Sequence, residues 1–116
     1  MKILVVEFEE MIRFLVGEKL SEIEGRQVRT ASGKEEALEL LAQEEVDFLI
    51  TDQGMNRPKE GSELIEEVQK RFPDTRCILM SGNHDNISEA DHLGVPFLAK
   101  PFSYGELEDL LKPVAV

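Results

Sequence analysis

Short apolar runs alternate with helical stripes along the whole chain, and this alternation constrains the architecture more than any other feature. Runs of strand length recur at residues 3–6 (ILVV), 28–31 (VRTA), 47–51 (DFLIT), 77–80 (CILM) and 96–99 (PFLA). Four of the five are nearly continuous rather than alternating, as strands buried on both faces are, and strands of that kind belong to parallel sheets. The run at 28–31 is more mixed and suits a sheet edge. Between the runs, apolar residues fall at helical spacing: Ile12, Leu15, Val16, Leu20 and Ile23; Ala37, Leu38 and Leu41; Leu64, Ile65, Val68 and Phe72; Leu107, Leu110 and Leu111. Only residues 84–93 are available for a fourth helix, which is therefore short. Ser32 with Glu35 and Ser103 with Glu106 have the spacing of capping boxes, and Pro113 is expected to stop the last helix. Strict alternation of strand and helix predicts a single α/β domain over residues 1–116, a parallel sheet covered on both faces.

The rest of the sequence narrows the class. No apolar run approaches the roughly 20 residues that a membrane span requires, and no basic segment precedes an apolar one as in a signal peptide, so a cytoplasmic location is expected. The formal net charge is −11. A duplex-binding domain needs a basic face to displace phosphate counterions, so no nucleic-acid partner is expected. The single cysteine, Cys77, excludes an internal disulfide and reads as a small core residue. His84 and His92 lack a third soft ligand and read as exposed side chains. A flavin or nucleotide binder of similar architecture needs a glycine-rich loop after the first strand; the segment EFEEM has no glycine and carries three acids.

In a doubly wound sheet, ligands bind outside the carboxyl ends of the strands. The first strand ends in Glu7, the third in Thr51-Asp52, the fourth in Ser81-Gly82 and the fifth in Lys100-Pro101. Asp52 offers a carboxylate nucleophile, Lys100 a neutralising cation, Ser81 a hydroxyl and Glu7 a charge for a cation. A phosphoryl group requires this kind of surround.

With those strand ends in view, the chain resembles the receiver domain of two-component response regulators over essentially its whole length. The motifs are KILVVE at the start, FLITD around Asp52, ILMSG around Ser81 and FLAKPF around Lys100; the ending and the Gly61 spacing look most like receivers of hybrid histidine kinases. The resemblance implies a flavodoxin-like (βα)5 domain with sheet order 2-1-3-4-5. It implies that Asp52 accepts a phosphoryl group from a kinase histidine, that Lys100 pairs with the acyl phosphate, and that Ser81 and Phe97 are the switch residues. It also implies a cis bond between Lys100 and Pro101, and Mg²⁺ held by Glu7, Asp52 and the Gly54 carbonyl. The implied partners are a histidine kinase or phosphotransfer protein, and a dimer partner through the helix 4–strand 5–helix 5 face, on which Tyr104, Glu108 and Asp109 are expected to be exposed. No enzymatic activity is expected beyond self-phosphorylation and autodephosphorylation at Asp52. No output domain is expected after the last helix.

Two positions depart from the family pattern. The family places two adjacent acids after the first strand, the second ligating Mg²⁺ directly; here the pair is Glu7-Phe8. Phe8 has no lone pair for a hard cation. It reads either as packing over the loop or as plugging the acidic pocket, and Glu9 or Glu10 could swing in as a substitute ligand. After Asp52, the usual Met-Pro is Met55-Asn56, with Pro58 two residues late. These departures favour a second reading, a receiver-like adaptor that works without phosphorylation.

Overall fold

The computed structural model describes residues 1–112, so the expected stop at Pro113 lies outside the described residues. Five strands, β1 (Lys2–Val6), β2 (Gln27–Ala31), β3 (Phe48–Asp52), β4 (Arg76–Ser81) and β5 (Phe97–Ala99), alternate with five helices. The helices are α1 (Glu10–Ser21), α2 (Lys34–Gln43), α3 (Glu60–Arg71), α4 (Ile87–Leu93) and α5 (Tyr104–Leu110). The strands form one sheet in the order β2-β1-β3-β4-β5, and every pairing is parallel. The edge position expected for residues 28–31 is the one β2 takes.

Continuous apolar strands feed two cores, one on each face, because successive side chains point to opposite sides. Leu4, Val6, Leu49, Cys77 and Leu79 face α2, α3 and α4, packing with Ala37, Leu64, Ile65, Val68 and Ala90. Ile3, Val5, Ile50, Ile78 and Met80 face α1 and α5, packing with Val16, Leu20, Leu107 and Leu111. Cys77 is buried as expected, and burial pushes its thiol up to about 12. His84 and His92 are exposed. The short α4 is preceded by a 3-10 turn, His84–Asn86, and closed by Gly94 at φ 72°, a left-handed cap that glycine adopts at least cost.

Two local expectations are corrected. In α1, Leu15 and Ile23 are about half exposed: the helix ends at Ser21, and its contact line runs through Val16, Gly17 and Leu20. Gly17 lies against Thr30, where a Cβ would come within 3.1 Å of the threonine methyl. This close approach to β2 turns Leu15 away from the sheet. At α2, the Ser32–Glu35 box does not form. Gly33 is the N-cap, Glu36 rather than Glu35 accepts from the Ser32 N–H at 2.8 Å, and the Lys34 N–H donates to Glu60 of α3 at 2.8 Å. Glu60 is fully buried and needs donors, so it caps a neighbouring helix. The box at Ser103 and Glu106 forms as expected.

Candidate functional site

Parallel strands all end on the same rim, so side chains at their carboxyl ends converge. Glu7 follows β1, Asp52 ends β3, Ser81 ends β4 and Lys100 follows β5. The sheet thereby brings together four polar residues that are up to 93 positions apart in the chain. Lys100 Nζ donates to Glu7 Oε2 at 2.8 Å and to Asp52 Oδ1 at 2.9 Å. Glu7 is buried with Asp52 beside it, and Glu7 Oε1 has no hydrogen-bond partner. Burial raises the Glu7 pKa above the ordinary carboxylate value, against the Lys100 hydrogen bond. For Lys100, burial acts to lower the pKa, but the hydrogen bonds it donates to Glu7 and Asp52 outweigh it and the net shift is upward. One ammonium thus faces two carboxylates, leaving the site with an excess negative charge. The Lys100–Pro101 bond is cis, as expected.

The backbone under Asp52 is set by α3. Gly61 donates its N–H to the Gln53 carbonyl at 2.9 Å. A Cβ at position 61 would overlap the Asp52 carbonyl oxygen and lie 2.8 Å from Gln53 Cα. Only glycine lets the helix approach this closely. Gln53, itself buried, is clamped to Ser62: its Oε1 accepts from the Ser62 N–H at 2.7 Å and its Nε2 donates to the Ser62 hydroxyl at 2.6 Å. At the other wall, the Ser81 hydroxyl oxygen accepts from the Asn83 N–H at 3.0 Å and from Asn86 Nδ2 at 2.8 Å. Phe97 is half-buried and packs against the core on the α2–α4 side. On α5, Tyr104 and Glu108 are half-buried rather than exposed, and Asp109 is exposed. Glu108 is held by Arg26, and Tyr104 sits under Lys19 and against Phe102.

Gln53, Glu60, Arg13 and Asn86 were not among the sequence candidates. Arg13 donates to the main-chain carbonyls of Glu7 and Phe8 at 2.9 and 3.3 Å and so fixes the loop after β1. Their contacts span loops rather than a periodic element, so spacing carries no sign of them; the one available hint was a cluster of amide side chains after β4.

The donor set at the rim is smaller than the family pattern implies. Mg²⁺ requires near-octahedral oxygen at about 2.1 Å. Phe8 supplies no oxygen, and 49% of its surface is exposed. Glu9 and Glu10 are both exposed at the start of α1. Among the described residues, no cluster of three metal-ligating side chains occurs. Glu7, Asp52 and the main chain at Gly54 are the donors that remain.

The model for the response regulator receiver domain matches residues 3–112. The chain is 34% identical over 114 residues to response regulator protein PilR of Pseudomonas aeruginosa, covering 95% of this chain and 25% of that protein. It is 32% identical over 117 residues to sensor kinase CckA of Brucella abortus, covering 95% of this chain and 12% of that protein. The chain thus spans a quarter or less of these curated relatives. Among solved structures, the signal receiver domain of an HD-domain protein from Pseudomonas fluorescens superposes with a TM-score of 0.85 at 29% identity, covering 95% and 90% of the two chains. Response regulator TrrA of Thermotoga maritima, solved with Mg²⁺ and beryllofluoride, gives 0.83 at 32% identity, with 95% of each chain covered.

Proposed function

The chain belongs to the response regulator receiver domain family, and from that premise we propose that it acts in two-component phosphorelay, accepting a phosphoryl group on Asp52 from the phosphohistidine of a histidine kinase or phosphotransfer protein. The observation that carries this reading is the Lys100 ammonium 2.9 Å from Asp52 at the rim of the sheet. An oxygen of Asp52 attacks phosphorus, the P–N bond to the donor imidazole breaks, and the imidazole nitrogen takes a proton as an acyl phosphate forms. Lys100 balances charge on the transferring group without having to reorganise. Ser81 donates its hydroxyl proton to a phosphoryl oxygen, and Phe97 follows the movement on the α4–β5–α5 face, which is the surface offered to a downstream partner. Glu7, Asp52 and the Gly54 carbonyl would hold Mg²⁺, which would neutralise charge on the phosphoryl group, and its binding would be weak because Phe8 contributes no oxygen.

The exposed Phe8 favours a second reading, a phosphorylation-independent adaptor in which Asp52, Glu7 and Lys100 are a structural ion cluster. Intact mass after incubation with acetyl phosphate, with and without Mg²⁺, separates the two. One phosphate added to the wild type and none to Asp52→Asn supports the receiver, and a faster reaction of Phe8→Asp in Mg²⁺ supports the weakened metal site. A folded wild-type protein that gains no mass supports the adaptor.

A further inference from the structure

Asn86 closes the 3-10 turn that runs directly into α4, and its own backbone is helical at φ −72° and ψ −3°, so its side chain is not placed to cap the helix and makes no cap hydrogen bond. Its half-buried side chain instead turns back across the 3-10 turn, and Nδ2 donates to the Ser81 hydroxyl oxygen at 2.8 Å. The neighbouring Asn83 behaves conventionally, its Oδ1 accepting from the Asp85 N–H at 3.0 Å. So of the two asparagines, Asn83 caps the turn and Asn86 is given over to Ser81.

The consequence lies in the polarity of the hydroxyl. A serine hydroxyl has one proton to donate and two lone pairs to accept with. The Asn83 N–H and Asn86 Nδ2 occupy both lone pairs, and among the described residues Ser81 makes no hydrogen bond as a donor. Its proton is the one valence still open. We propose that Asn86 is the positioning residue of Ser81: it fixes the hydroxyl as a donor, ready for a phosphoryl oxygen on Asp52, and ties that donor to the first turn of α4. The role toward phosphate rests on the function proposed above; the hydrogen bond does not. Preorganised donors of this kind are effective because they need not reorient as charge develops.

Asn86→Asp tests the polarity at nearly constant shape. A carboxylate at position 86 accepts the Ser81 proton and draws it away from the site, and because the Asn86 side chain makes no cap hydrogen bond, α4 should persist. Two measurements on the full chain decide the matter. In unmodified ¹⁵N-labelled protein, the Asn86 side-chain amide should show one downfield, slowly exchanging proton that moves in Ser81→Ala. An amide at the free-asparagine position, indifferent to that substitution, overturns the inference whether or not Asp52 takes phosphate. In the second measurement, initial rates of mass gain from acetyl phosphate should fall about tenfold in Asn86→Asp and less in Asn86→Ala, a smaller loss than the roughly hundredfold or more that follows outright removal of such a donor. Neither substitution should slow the reaction further in a Ser81→Ala background. A wild-type rate in Asn86→Asp overturns the inference, since the side-chain oxygen would already have faced Ser81. An equal loss with and without the Ser81 hydroxyl also overturns it, since the role would then be structural only. A wild-type protein that takes no phosphate defeats the proposed function, and with it the role toward phosphate, while the amide resonance still decides the hydrogen bond.

Discussion

Two ion clusters brace opposite ends of the sheet, and they are built on different terms. At the amino end, just before β2, the Arg26 guanidinium meets Glu108 of α5 through two parallel bonds of 2.7 and 2.6 Å. One cation faces one anion, and the fork matches the carboxylate. At the carboxyl end, the Lys100 ammonium is divided between Glu7 and Asp52, one cation faces two anions, and a buried oxygen of Glu7 is left without a partner. The first arrangement is matched in charge and geometry. The second retains an unbalanced negative charge where burial makes it costly. A site that must later accommodate another group has reason to remain unmatched, whereas a brace does not.

The sharpest way to break the carboxyl end is through its backbone. Gly61→Ala places a methyl group against the Asp52 carbonyl and Gln53 Cα, atoms that cannot rotate away. A loss of about 3 kcal/mol or outright failure to fold is expected, read as the midpoint of urea unfolding. A neutral result would mean that α3 can retreat from β3 without consequence.

Lys100→Met comes next. It removes the cation and leaves two buried carboxylates facing each other, which should cost about 2 kcal/mol, less than for a fully buried pair because Lys100 is partly exposed. Adding Glu7→Gln should recover part of that loss by removing one of the stranded charges. If the double variant is no more stable than the single, the two acids are not competing for one cation, and the contrast between the clusters fails.

The contrast also separates what could be read in the sequence from what could not. The strand order comes with the family resemblance, while the parallel sheet, its two-faced core, the edge position of β2, the short α4 and the convergence of Glu7, Asp52, Ser81 and Lys100 follow from apolar periodicity and from the rule that parallel strands share a rim. These are properties of repeating elements, and a repeat is visible in one dimension. The misplaced features are single contacts between different elements. Glu60 takes the N-terminus of α2 from Ser32 because a buried carboxylate requires donors, and Gly17 turns Leu15 outward by its approach to Thr30. Glu108, expected on an open surface, is held by Arg26 from 82 residues away. No spacing rule encodes such partners. Phe8 lies between the two cases: its lack of a ligand oxygen is plain from its identity, but only the fold shows that about half of its surface is exposed.

The smallest effect expected belongs to the matched cluster, and pH measures it. The Arg26 hydrogen bond holds the Glu108 carboxyl below its ordinary value. A depressed carboxylate stabilises the fold fully above the unfolded-state pKa, near 4.5, and that contribution disappears as pH falls through the lower folded-state value. Arg26→Ala should therefore destabilise the protein at pH 7 by about 1 kcal/mol or less, because Glu108 is one-third exposed and water screens the pair. The gap in melting temperature between variant and wild type should narrow as pH falls below the ordinary value of 4.5 and through the lower folded-state value, until Glu108 is protonated in both. What remains at low pH is the packing of the arginine stem and its weaker bond to the Leu20 carbonyl. A gap that stays constant with pH would mean that Arg26 braces the amino end by shape alone, and that the two clusters differ in packing rather than in how their charges are matched.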